Sequence, residues 1–254
     1  MTDFEIKYAP KDLQSVVWQD TKTEKQIMNY AYGNIFRPLI LHGPVGTGKT
    51  TIAELLPSAI EPTIQSPDIK VLNAGIDRNI TAINKIFGPS KMTGGMNKSG
   101  LKVFVFDEAE GIKDDAFLAL RGIMPRLQTM DILFIFTTNN LAVLPTAIKS
   151  RATCIKIDYA PPQQWLPRAQ WILEEEGHPR SQEQLLPIIQ AAKGDSRVIL
   201  QNLQELVIQI NEDDDPQGPP QGEAPSVTPC ISPNVVARIT PQPEPSQTTG
   251  PETT

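Results

Sequence analysis

The sequence has little cysteine: Cys154 and Cys230 are the only two in 254 residues, which argues against a disulfide framework or a Cys-rich zinc site, and both read as unpaired. It also has no run approaching the roughly 20 apolar residues of a membrane span. Its start, Met1-Thr2-Asp3-Phe4-Glu5, lacks the basic opening and apolar stretch of a secretory leader. A cytoplasmic address is therefore expected, in a cell or for a viral protein in its host, with no membrane partner. Histidine is scarce too, and His42 and His178 stand alone without metal-ligand spacing. Excess positive charge is absent: the net charge is −6, and the acids from Glu212 onward account for the imbalance, so the remaining body is neutral. Nothing global marks a nucleic-acid binder, and any such surface must come from local patterning.

What is present divides along the chain. The 39% apolar content is enough for a packed core. Leu39 to His42, Val71 to Asn73, Leu101 to Phe106, Ile132 to Thr137 and Thr153 to Ile157 read as buried strands with helical patterns between most of them. That alternation predicts an α/β fold, a parallel sheet flanked by helices on both faces, with ligand chemistry at the carboxyl ends of the strands. After the Pro161-Pro162 pair the pattern is helical only, with Leu200, Leu203, Leu206, Val207 and Ile210 on one stripe, and predicts a small all-α second domain over 159–211 behind a nucleotide-binding core of 1–158. From Glu212 the composition turns to Pro, Gln, Gly, Ser and Thr with acids, too poor in apolar residues to offset chain entropy, so 212–254 reads as a disordered tail.

Gly43-Pro44-Val45-Gly46-Thr47-Gly48-Lys49-Thr50 matches the full phosphate-loop pattern and lies between an apolar strand and a helical segment, the context that pattern needs. The glycines let backbone N–H groups wrap a phosphate, the helix N-terminus adds positive potential, Lys49 reaches the β and γ phosphates, and the Thr50 hydroxyl can ligate Mg²⁺, with Thr51 beside it. ATP and Mg²⁺ are the implied ligands. Val103-Phe104-Val105-Phe106 is a strand that delivers Asp107 and Glu108 at its end: Asp107 to hold the ion, Glu108 to orient or deprotonate the attacking water. Acids at Asp107, Glu108 and Glu110 that merely favour a helix N-terminus are the plain alternative, and the complete phosphate loop beside them weighs against it. Residues 78–102 hold Arg78, Lys85, Lys91, Lys98 and Lys102 and no acid, a stretch suited to neutralising phosphates; a solvated loop around Gly94-Gly95 would have the same composition.

Several segments, in order, carry a family resemblance. Lys7-Tyr8-Ala9-Pro10-Lys11-Asp12-Leu13 followed by Val16-Val17, then Asp107-Glu108-Ala109-Glu110, Thr138-Asn139-Asn140, Ser150-Arg151 and Gly194-Asp195-Ser196-Arg197 together resemble the small subunits of sliding-clamp loaders, which are AAA+ ATPases. The likeness runs over about residues 6 to 208. It implies that Tyr8, Pro10 and Val17 pack around the adenine. It implies that the Asn139 amide meets the γ-phosphate or the attacking water, though an Asn-Asn turn is the plain alternative. Arg151 becomes a finger reaching a neighbouring subunit's ATP, where a planar, always-charged guanidinium stabilises the transferred phosphoryl. Arg197 becomes a contact from the lid helix that couples lid angle to nucleotide. For both arginines a surface role is the alternative. The resemblance also lays the basic 78–102 stretch, with Arg78, Lys85 and Lys91, against primer-template DNA, and implies other AAA+ subunits in a ring or arc and a sliding clamp as partners.

The sequence departs from that family in places. Ala9 replaces an Arg, Ala152 a Cys, and Pro125 stands where a Glu is usual. No Cys-rich insertion occurs near residues 51–75, unlike zinc-bearing bacterial loaders, and no third helical collar domain is expected after Glu212. Two readings stay open at this point: a DNA-dependent ATPase that opens or places a clamp, and an AAA+ ATP-gated assembly or remodelling module that does not act on a clamp.

Overall fold

A computed structural model of the chain describes residues 3–73, 95–127 and 131–213, all belonging to the unit Met1–Asp214. Arg78, Lys85 and Lys91, with the basic stretch they define, lie outside the described residues.

Five strands form one sheet in the order β2-β3-β4-β1-β5: β1 Leu39–His42, β2 Ile69–Asn73, β3 Lys102–Asp107, β4 Ile132–Thr138 and β5 Thr153–Lys156. Every pairing is parallel. The apolar runs of β1, β3 and β4 are nearly continuous because both faces are covered, whereas the edge strands β2 and β5, expected from the sequence to be buried, bury only Leu72 and Ile155 because each has a neighbour on one side alone. Alternation sends Val103, Val105, Leu133, Ile135, Leu39 and Leu41 to one face, where they pack against Ile27 and Tyr30 of α2 (Thr21–Ala31) and Ile52, Ala53 and Leu56 of α3 (Lys49–Ile60). The other face carries Phe104, Phe106, Phe134, Phe136 and Ile40 against Ala116, Phe117, Leu120 and Met124 of α4 (Asp114–Leu127). On that face Phe106 and Phe136, register partners on β3 and β4, stack with ring centroids 4.9 Å apart.

A separate apolar cluster holds the three later helices together. Trp165, Leu166, Ala169, Ile172 and Leu173 of α6 (Pro162–Glu175) meet Leu185 and Ile189 of α7 (Gln182–Ala191) and Ile199, Leu203 and Val207 of α8 (Ser196–Asp213). The short α5 (Thr146–Lys149) precedes β5. Helix α7 starts on a full capping box from Ser181 and Gln184. Helix α8 runs to Asp213, past the composition change at Glu212.

The N-terminal segment joins this helical cluster, which periodicity alone does not reveal. Phe4 of α1 (Phe4–Lys7) and Tyr8 are buried in it. Phe4 N donates to Gln204 Oε1 at 2.9 Å, and Lys7 Nζ and the Tyr8 hydroxyl both donate to Glu176 at 2.6 and 2.5 Å. Arg168 donates to the Tyr8 carbonyl at 2.9 Å and lies over the Trp171 ring. The segment before the sheet is thereby tied to the helices after it. Among the described residues no helix is long and apolar enough to cross a membrane.

Candidate active site

The sheet order fixes where the chemistry gathers. Strand β1 lies between β4 and β5, with β3 beyond β4, so the carboxyl ends of β1, β4 and β3 stand side by side, where an open parallel sheet binds its ligands. In register, His42 pairs with Thr138 and Phe106 with Phe136, which brings the loop after β1, Asp107 ending β3, and Thr138-Asn139 ending β4 to one level.

The loop after β1 has the backbone that its glycines permit. Gly43 has φ +151, and a Cβ there would lie 1.8 Å from the Ile157 carbonyl oxygen, so no other residue fits. Gly48 caps α3 in the left-handed region and no side chain caps the helix, which leaves the first-turn N–H groups of α3 for an anion. Lys49 is buried, with Nζ donating to the Pro44 carbonyl at 2.5 Å. Burial pushes its ammonium down from the ordinary value, Arg197 pushes the same way, and the carboxylates of Glu110 and Asp107 oppose both. A polyphosphate in the loop would strengthen the opposing effect and favour the charged form.

Thr50 Oγ1 donates to Asp107 Oδ1 at 2.8 Å, and Thr137 Oγ1 donates to the same oxygen at 2.5 Å. The Thr137 hydroxyl oxygen in turn accepts from Glu108 N at 3.1 Å, so one side chain braces both acidic residues. Glu108 itself sits at φ +53, ψ 48, a left-handed conformation that a non-glycine residue holds only where its surroundings impose it, and its side chain is exposed. A hydroxyl and a carboxylate are hard oxygen donors that suit Mg²⁺. Among the described residues no group of three His, Cys, Asp or Glu could hold a metal ion by itself.

A cavity of about 380 Å³ opens over these groups. Tyr8, Pro10, Val17, Val45, Gly46, Thr47, Gly48, Lys49, Thr50, Thr51, Asp107, Glu108, Asn139 and Arg197 all line it. Gly43, Pro44 and Arg151 are not among its lining residues. Arg151 is exposed after α5, its guanidinium bent back onto the Ala147 carbonyl at 2.7 Å. Sequence reasoning missed other wall residues: Thr137, Trp165, Arg168, Ser196 and Leu200. Ser196 bridges the two parts of the site, since its N and Oγ both donate to the Gly46 carbonyl, at 2.9 and 2.7 Å. Asp195, beside it, caps α8 through Arg197 N at 3.0 Å. Behind the cavity Glu110 accepts from both the backbone N and Nδ2 of Asn139.

Comparison with known proteins agrees with this geometry. The model of the AAA family, ATPases associated with various cellular activities, matches residues 39–159. A replication factor C small subunit 2 from Pyrobaculum islandicum is 28% identical over 198 residues, covering 78% of this chain and 61% of the relative. Human replication factor C subunit 5 is 29% identical over 200 residues, covering 78% and 58%, and a probable replication factor C subunit 5 of Caenorhabditis elegans is 27% identical over 217 residues, covering 81% and 58%. The chain thus spans about 60% of the length of these relatives. The structure of a Thermotoga maritima RuvB variant shares the fold, with a TM-score of 0.53 at 18% identity over 78% of this chain and 73% of that one. Residues 39–159 thus match an AAA ATPase domain, and the similarity to replication factor C small subunits supports a clamp-loader-like AAA+ protein.

Proposed function

We propose that the chain binds and hydrolyses ATP as one subunit of a larger AAA+ assembly, and that the assembly uses ATP to open or place a sliding clamp on primer-template DNA. The observation that carries the reading is the hydrogen bond from Thr50 to Asp107, which joins the end of the phosphate loop to the end of β3 and so pairs the two protein ligands an ATP-bound Mg²⁺ requires. The ion would neutralise charge on the β and γ phosphate oxygens. The loop N–H groups and Lys49 hold the phosphates, and Tyr8, Pro10 and Val17 wall the base end of the cavity. Glu108 orients water for in-line attack on the γ phosphorus and takes its proton as the bond to the β–γ bridging oxygen breaks. Asn139 meets that water or the γ-phosphate from the end of β4. Arg197 reaches the nucleotide from α8, so that lid position follows nucleotide state.

Arg151 completes the site in trans. Its exposure and its absence from the cavity of its own chain support this role, since a finger must project toward a neighbour. The soluble partners are AAA+ subunits, a clamp and primed DNA. The test is ATP turnover by the chain alone, with partner subunits, and with primed DNA and candidate clamps added. Stimulation by clamp and primed DNA together supports clamp placement. Turnover that responds to neither favours an AAA+ module with another target.

A further inference from the structure

Glu110 has no part in the phosphate loop, the ion site or the cavity lining, yet it is aimed at one of the residues that meet the nucleotide. It lies in the single 3-10 turn after β3, Ala109–Gly111, and its Oε1 accepts from Asn139 N at 3.2 Å and from Asn139 Nδ2 at 2.9 Å. The other oxygen, Oε2, is buried without a hydrogen-bond partner, although the Thr138 hydroxyl stands near the carboxylate. Burial pushes this carboxyl up, but its own backbone N–H, Thr138 and Asn139 outweigh that, and the net direction is down, toward a charged acceptor.

An asparagine amide can turn over, exchanging its oxygen and nitrogen ends at similar shape. A carboxylate removes that freedom because only the NH₂ end can face it. We propose that Glu110 is a positioning residue that clasps Asn139 by its backbone N and Nδ2, so that the second Nδ2 hydrogen and Oδ1 stay in a fixed orientation for the γ-phosphate and the attacking water. This rests on the ATPase reading above. Glu110 also acts on Lys49 as a negative charge, opposing burial and favouring the ammonium form.

The test is a double-mutant cycle in the full chain with its stimulating partners. Glu110→Ala should lower kcat by roughly 10-fold, within the range that coupling between contacting groups gives. ATP affinity, read by equilibrium binding of a non-hydrolysable analogue, should hold because Glu110 does not line the cavity. In an Asn139→Ala background the same change should leave kcat unaltered, since there is no amide left to orient. Glu110→Gln keeps the volume and one acceptor, and is expected to fall between the parent and Glu110→Ala; it serves if the alanine variant does not fold. An equal loss of kcat in both backgrounds would overturn the proposal, as would weakened ATP binding with kcat intact. Wild-type turnover matched by both Glu110 variants would sink this inference alone, whereas a wild-type chain without ATPase activity under any of these conditions would sink the functional reading and this inference with it.

Discussion

Replacing Gly46 by Ala perturbs one atom at the junction between the phosphate loop and the helical cluster. Gly46 has φ +76, and a Cβ there would lie 2.2 Å from the Asp195 carboxylate carbon. The left-handed backbone alone costs an alanine about 1–2 kcal/mol, offset by about 0.4–1 kcal/mol from the stiffer unfolded chain. The carboxylate is the free end of a side chain and can rotate away, but it then releases Arg197 N, a cap worth about 1 kcal/mol, and disturbs the adjacent Ser196 bonds to Gly46 O. The net loss is about 2 kcal/mol, which for a chain of this size lowers Tm by about 4–8 °C. Thermal unfolding of Gly46→Ala, Asp195→Ala and the double variant separates the contributions. With the carboxylate gone, only backbone strain remains, so the double variant should be about 1 kcal/mol more stable than the sum of the single losses requires. A Gly46→Ala protein that melts within a degree of the parent, or strict additivity, would refute the contact between Asp195 and the loop.

Three further outcomes follow from named contacts. Lys49→Ala should abolish nucleotide binding, whereas Glu108→Gln should keep ATP bound and slow turnover about 100-fold or more; parent-rate hydrolysis by Glu108→Gln would reassign the water-orienting residue. Glu61 is held at a pKa of about 2, below its ordinary 4.5, by the Thr63 and Ser99 hydroxyls and their N–H groups, so its stabilisation is complete above pH 4.5 and is lost as pH falls toward 2. The Tm gap between the parent and Glu61→Gln should therefore close over that window, and a gap unchanged by acid would refute the assignment. Mixing Arg151→Ala with Lys49→Ala protein, each inactive alone, should restore turnover if the finger acts across subunits, and wild-type activity per chain should rise with concentration by as much as roughly 1,000-fold; no recovery and dilution-independent turnover would point to a self-contained ATPase.

The parts of this molecule that a reader of the sequence can find are those whose chemistry needs neighbours in the chain. A phosphate-loop pattern needs consecutive N–H groups, so its match at residues 43–50 is contiguous, and a strand that must be apolar on both faces announces itself at Val103 to Phe106. Asp107 and Glu108 follow because that strand has to end somewhere useful. Contacts made by topology leave no such trace. Thr137 reaches Asp107 from 30 residues away, Ser196 reaches Gly46 from 150, and Tyr8 meets Glu176 from 168, with no periodicity to connect them. Thr137 meets Asp107 because β4 pairs with β3, and the loop after β1 joins them because β1 inserts between β4 and β5, an order that the alternation of strands and helices does not dictate. Because all five strands run parallel, their carboxyl ends share one edge, and the in-register pairing of β1 with β4 and of β4 with β3 sets the loop, the polar end of β4 and the acidic pair level with one another. Thr137 can then brace Asp107 and Glu108 together, and Glu110, one turn later, can reach Asn139. Local pattern marks the loop and the acidic pair, and sheet order supplies the groups that hold them in place.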